Sequence, residues 1–180
     1  FDSELDKHFL VGLDMRQLAD GTWQITRINN LQTLISERDQ AFQNKLAELN
    51  KPVQKQIDDA ITVTPQKIFI TSAPYSGVIR LLQADLQLTN NAAKELQYFT
   101  GVLELYNADN ELFYSGNFAS SKKLAAAQTQ AYQFNWELNP FLTDDAKVMN
   151  SDFSKVTWKA SLSSLTFADG STIELLTQLP

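Results

Sequence analysis

No cysteine occurs in the chain. Disulfides, thiol catalysis, cysteine zinc fingers and iron–sulfur clusters are excluded with it. Histidine occurs once, as His8. A triad or a histidine-rich metal site needs partners that a lone histidine lacks, so His8 reads as a surface residue near the start of the chain. Basic clusters are also missing: the densest is Lys122–Lys123, and the formal net charge is -6. Nucleic acid is bound through basic patches that release counterions from phosphate, so no nucleic-acid partner is expected. No apolar run approaches the roughly 18 residues of a membrane span. The GxGxxG, P-loop and GxSxG motifs are absent. Tyr75-Ser76-Gly77, after Pro74, reads as a turn.

What is present fits an ordered globular chain, with 43% apolar and 20% charged residues. Phe9, Val11, Leu13 and Met15 alternate with other residues, and Thr22–Ile28 forms a second candidate strand. Asp20-Gly21 between them is a turn pair, because both residues tolerate positive φ. The pattern predicts a β-hairpin. Two strands alone are marginal in water, so the hairpin is expected to pack on a later part of the chain or on a part that was removed. A chain that opens on Phe1 rather than Met is expected to have lost an upstream signal, anchor or domain.

From Leu31 the apolar period becomes helical. Leu31, Leu34, Ile35, Phe42, Leu46, Leu49, Val53, Ile57 and Ile61 form one stripe among polar residues. Pro52 lacks an N–H and disfavours helical geometry at Lys51, so the helix is expected to break or kink near it, a break being favoured. Thr62-Val63-Thr64-Pro65 is expected to end the helical region. The chain therefore divides into an N-terminal hairpin and helical segment, 1–64, and a second domain, 65–180.

Beyond Pro65 the period is two. A short strand at 67–71 is followed by alternating segments at 82–90, 130–138 and 155–162, each with one apolar and one polar face. The alternation slips at Ser163-Ser164, which signals a β-bulge. Asp169-Gly170 then turns the chain into a last strand around Ile173 and Leu175. Residues 98–118 read as a hairpin turning at Asp109-Asn110. A two-residue loop sets Leu105 against Tyr114, Leu103 against Gly116 and Tyr106 against Phe113, keeping apolar with apolar. A helical turn is expected in 143–150. The fold class is mainly β: an antiparallel immunoglobulin-like β-sandwich of about seven strands, preceded by the β-hairpin and the amphipathic helical segment.

Leu103-Glu104-Leu105-Tyr106-Asn107, followed by a polar turn and a new strand, resembles the signature of the FxLYD-type bacterial domains. These are immunoglobulin-like sandwiches of envelope and secreted proteins. Trp158 to Ile173, with Phe167-Ala168-Asp169-Gly170-Ser171, is similar to their last hairpin, and the resemblance spans 67–177. Asn107 stands where that family has Asp, and Asn110 where it has Gly; both suit a turn. The resemblance implies a bacterial envelope location, in the periplasm or at the cell surface with its signal or anchor removed, and no catalytic residues. A cytoplasmic location is the alternative. Asp20–Ile28 is similar to the final hairpin of nuclear transport factor two-like domains, a likeness that takes in the hairpin strands of 9–28.

Other chemistry-bearing groups have plain structural readings. Asp58-Asp59 and Asp144-Asp145 are adjacent, so neither pair shares a direction on a helix or strand. Asn107, Asp109 and Glu111 alternate as in the start of a calcium loop but lack its Gly and its distant Glu. No catalytic, cofactor-binding or metal-ligating residues are expected. Tyr106 and Phe113, with Tyr98 on the same parity, form a candidate interaction patch on the face opposite Leu103 and Leu105. The expected function is that of a non-enzymatic envelope module for protein interaction or spacing, its partner another envelope protein. The alternative is a small-ligand-binding domain with a pocket between the helix and the sandwich.

Overall fold

The computed structural model describes all of residues 1–180. The chain forms two compact units, one of Phe1–Lys51 with Leu176–Pro180 and the other of Pro52–Leu175.

The second unit is the sandwich. Its seven strands are β3 (Ile61–Ser72), β4 (Arg80–Asn90), β5 (Leu96–Tyr106), β6 (Leu112–Ser120), β7 (Thr129–Leu138), β8 (Thr157–Phe167) and β9 (Thr172–Glu174), where β1 and β2 are the strands of the first unit. They form two sheets, β3-β4-β7 and β6-β5-β8-β9, antiparallel throughout. This is the connectivity of an immunoglobulin-like sandwich in which the fourth strand joins the third rather than the fifth. A short helix, α2 (Thr143–Met149), lies on the crossing from β7 to β8.

The alternating residues fill the space between the sheets. Leu82, Ala84, Leu86 and Leu88 from β4 meet Phe99, Leu103 and Leu105 from β5 and Leu162, Leu165 and Phe167 from β8. Burying each large side chain stabilises the fold by about 1.5–3 kcal/mol. Tyr132, Phe134 and Trp136 from β7 form an aromatic row with Phe99 and Phe118. Gly116 is required where this row approaches β6: a Cβ there would stand 2.7 Å from Trp136 Nε1 and 2.9 Å from its Cδ1. Asn90 is the one buried polar residue. Its Nδ2 donates to Lys94 O at 2.8 Å and Leu124 O at 2.9 Å, and its Oδ1 accepts from Ala92 N.

The β5–β6 register agrees with expectation at Leu103↔Gly116 and Leu105↔Tyr114. Nearer the turn it differs. Tyr106 faces Leu112, not Phe113, and Asn107 N–H donates to Glu111 O. The loop thus holds three residues, closed by Asn110 at φ +61°, and Phe113 is the bulged residue that returns the pair to the two-residue register. Ser163 is the extra residue opposite Thr100 and Gly101, as the slip in alternation indicates.

Two boundaries differ from the sequence reading. The helix α1 runs from Leu31 to Ala60 with Pro52 inside it, so the favoured break is not formed. Next, β3 begins at Ile61 instead of residue 67, which makes Thr64–Pro65 internal to a strand. An edge strand accepts proline because the missing donor faces no neighbour. β3 pairs only with β4, and its register shifts between Pro65 and Lys67. The β-branched run Ile61-Thr62-Val63-Thr64 is therefore strand, and Ile57, one turn before it, is fully buried in the core.

In the first unit, β1 (Leu13–Gln17) and β2 (Trp23–Ile28) make the expected hairpin, with Gly21 at φ +83°. Strand structure starts at Leu13 rather than at Phe9. Residues before the hairpin are tied to α1. Arg38 donates to Asp2 at 2.8 Å and Glu4 at 3.2 Å, and Lys45 Nζ donates to Glu4 O. Asn50 holds both backbone groups of Leu176, donating to its O and accepting from its N.

Candidate functional site

The three aromatics of the expected patch do not share a surface. Tyr98 and Tyr106 both lie on the outer side of β5, but eight residues of strand separate them by about 26 Å. Tyr106 donates to Glu104 Oε2 at 2.8 Å, and Lys159 Nζ sits 4.9 Å from its ring centre. The hydrogen bond to Glu104 raises the Tyr106 phenol above its ordinary pKa. Phe113 is half-buried and packs against the core, because the bulge turns it inward.

Phe113 borders two open grooves of the sandwich. One, of about 640 Å³, runs along Leu112–Ser115 and Leu142–Asp145. The other, of about 390 Å³, lies by Asn107, Ala108, Lys147 and Lys155. Their charges are already engaged: Lys147 pairs with Asp144, Lys155 with Asp152, and Asp145 accepts from Asn139 N. Burial, with Asp145 nearby, raises the Tyr114 phenol. Where the end of α1 meets the sandwich, at Asp58, Ile61 and Leu162, the pocket is only about 220 Å³. Ligand sites run from about 300 to 1,000 Å³, so this one is small for the pocket expected there.

The remaining sequence candidates are local structure. Asn107 Oδ1 accepts from Asp109 N and Glu111 N, closing the turn. His8 packs its ring on Phe1 at 4.8 Å. Nowhere do three His, Asp or Glu side chains come together as a metal would need.

The larger feature is the β1–β2 hairpin. All of its strand residues are exposed. Opposed positions put Leu13 with Ile28, Met15 with Ile25 and Gln17 with Trp23. Leu13, Met15, Trp23, Ile25 and Ile28 therefore share one face. The register shift at Asp14/Met15 leaves Thr26 as an extra residue on β2, and that bulge lets Ile28 rejoin the face Ile25 occupies. The opposite face carries Asp14, Arg16, Gln24 and Arg27. Trp23 is 61% and Ile25 56% exposed, and eleven of the eighteen exposed large apolar residues precede residue 36. An apolar concentration of this kind marks a contact surface. Its signal in the sequence is the spacing of Trp23, Ile25 and Ile28 beside Leu13 and Met15; what the spacing does not reveal is that all five are exposed.

No family model and no curated protein matches the chain. Among solved structures, it is similar to the Northeast Structural Genomics Consortium target SoR45. That likeness has a TM-score of 0.40 at 12% identity and covers 64% of this chain and 80% of the other. It is also similar to the putative ApaA protein from Bordetella pertussis, with a TM-score of 0.34 at 11% identity over 64% of this chain and 88% of that one. Part of Bacteroides uniformis beta-glucuronidase 2 superposes with a TM-score of 0.25 at 15% identity, covering 43% of this chain and 8% of the enzyme. Superpositions this loose do not bear on function.

Proposed function

We propose that the chain is a non-enzymatic protein-interaction module of the bacterial cell envelope, with the β1–β2 hairpin as its contact element and the sandwich as its stable support. The observation that carries the reading is the ordered hairpin whose apolar face is exposed at every position. A two-stranded hairpin is marginal alone in water, so burial against another protein supplies what the chain does not. The FxLYD-like strand Leu103–Asn107 supports the envelope location. The alternative, a small-ligand pocket between helix and sandwich, is disfavoured by the small volume beside Asp58 and Leu162.

The test is photocrosslinking in the cells that make the protein, combined with fractionation. A photoreactive residue in place of Trp23, on the apolar face, is expected to give discrete crosslinked species from the envelope fraction. Ile25→Asp is expected to remove them while leaving the melting temperature of the sandwich unchanged. Crosslinks that survive Ile25→Asp contradict the hairpin as contact element, and recovery from the cytoplasm contradicts the location.

A further inference from the structure

The hairpin has two free edges, and they are unlike. The bulge at Thr26 interrupts the edge of β2, whereas β1 is regular on its outer side. Leu18 N–H donates to Thr22 O, and Asn29 N–H donates to Gly12 O. Even-numbered residues of β1 thus direct their backbone groups at β2. By the alternation of an antiparallel ladder, Leu13, Met15 and Gln17 direct theirs outward. No strand pairs with β1 on that edge, and the backbone groups of Leu13, Met15 and Gln17 make no hydrogen bond there.

The side chains on β1 make the edge self-complementary. Asp14 and Arg16 flank Met15 symmetrically. Laid antiparallel on an identical strand with Met15 at the centre, Asp14 faces Arg16 of the other copy, and Arg16 faces its Asp14. Leu13 faces Gln17 in both directions. Edge strands that avoid pairing carry charges of one sign, typically lysine; here the two signs are placed so that self-pairing brings opposite charges together. Both groups keep capacity for it. Asp14 Oδ1 accepts from Asn29 Nδ2 at 2.8 Å, and Arg16 uses Nη2 on Gln24 Oε1 at 3.1 Å.

We propose that β1 pairs antiparallel with β1 of a second copy of this chain about a two-fold axis at Met15, giving a four-stranded sheet β2-β1-β1-β2. The inference rests on the reading of the hairpin as a contact element and adds an edge contact to it; the apolar face, doubled in area by the pairing, stays open for the partner of that reading. It also accounts for an ordered hairpin: two strands are marginal, while three or more with an apolar face have independent stability. The interface is isologous, so it closes at a dimer.

Sedimentation of the full chain over a concentration series tests the pairing. Wild type is expected to pass from monomer to dimer. Asp14→Arg and Arg16→Asp each turn two attractive pairs into repulsive ones and are expected to weaken the dimer at least about tenfold. Mixing the two variants is expected to restore dimers, because the swapped strands complement each other. Met15→Cys introduces the chain's only cysteine and is expected to form a disulfide-linked dimer, since directly opposed Cα atoms lie about 5.5 Å apart. Leu13→Cys is expected to do so only when mixed with Gln17→Cys.

A wild type that stays monomeric, or swaps that change nothing, overturns the proposal; Leu13→Cys linking to itself as readily as Met15→Cys overturns the register. If wild type is monomeric and Ile25→Asp still abolishes crosslinks in cells, the pairing is refuted and the hairpin serves a different protein. If Ile25→Asp also changes nothing, both readings fall.

Discussion

Leu103 in β5 and Ile25 in β2 are branched aliphatic residues at the middle of alternating strands, yet Leu103 is 0% and Ile25 56% exposed. In the sandwich, every dry face meets another dry face of the same unit. In the hairpin, the same alternation builds an apolar face that the chain leaves open. Alternation encodes which side of a strand is apolar; it does not encode what covers that side.

The widest gap between the two regions is expected from one substitution made in each. Leu103→Asp removes about 1.5–3 kcal/mol of burial and places an unpaired carboxylate in the core, so the variant is expected to show no cooperative melting transition by circular dichroism. A wild-type transition would show that Leu103 is not where the register places it.

Asn90→Ala comes next. It strips partners from the carbonyls of Lys94 and Leu124 and from Ala92 N–H. Unsatisfied buried groups cost about 1–3 kcal/mol, which chemical denaturation would read as a lower midpoint with an unchanged slope.

A smaller effect belongs to Asp169, at the β8–β9 turn. Lys94 and then Ser171, both hydrogen-bonded to its carboxylate, hold its pKa below the ordinary aspartate range. A carboxylate with a depressed pKa adds stability above its unfolded-state value, and that contribution is lost as pH falls toward the folded-state value. Asp169→Asn is expected to make the acid decline of the melting temperature shallower, with the difference from wild type vanishing at the acid end. A steeper decline would contradict the pairing.

The smallest effect is expected from Ile25→Asp, within about 0.5 kcal/mol on sandwich stability, as for exposed positions generally. A large loss would mean that the hairpin is part of the folding unit.

The sandwich was legible because its information is local and repeated. Alternation places β4, β7 and β8, Asp-Gly marks the last turn, and pairing apolar with apolar sets Leu105 against Tyr114. Errors arose where one residue's preference was set against cooperative neighbours. Pro52 removes a single donor, and the turns on both sides carry the helix through. Pro65 reads as a breaker, but an edge strand absorbs it with a bulge. Phe113 follows the expected parity in sequence and leaves it in space, because a three-residue loop needs a compensating bulge that no residue type announces. The candidate patch failed to assemble for the same reason and because strand length separates Tyr98 from Tyr106. The open hairpin was half visible: its apolar face could be read from residues 13–28, its exposure could not.

Hydrogen exchange of the full chain at low and high concentration tests the contrast most directly. The account predicts that β5 and β8 amides, Leu103 and Leu162 among them, exchange only through global unfolding at either concentration. It also predicts that β1 and β2 amides exchange fast when dilute and that protection of Met15 grows with concentration. Hairpin amides as slow as those of β5 in dilute solution would contradict it.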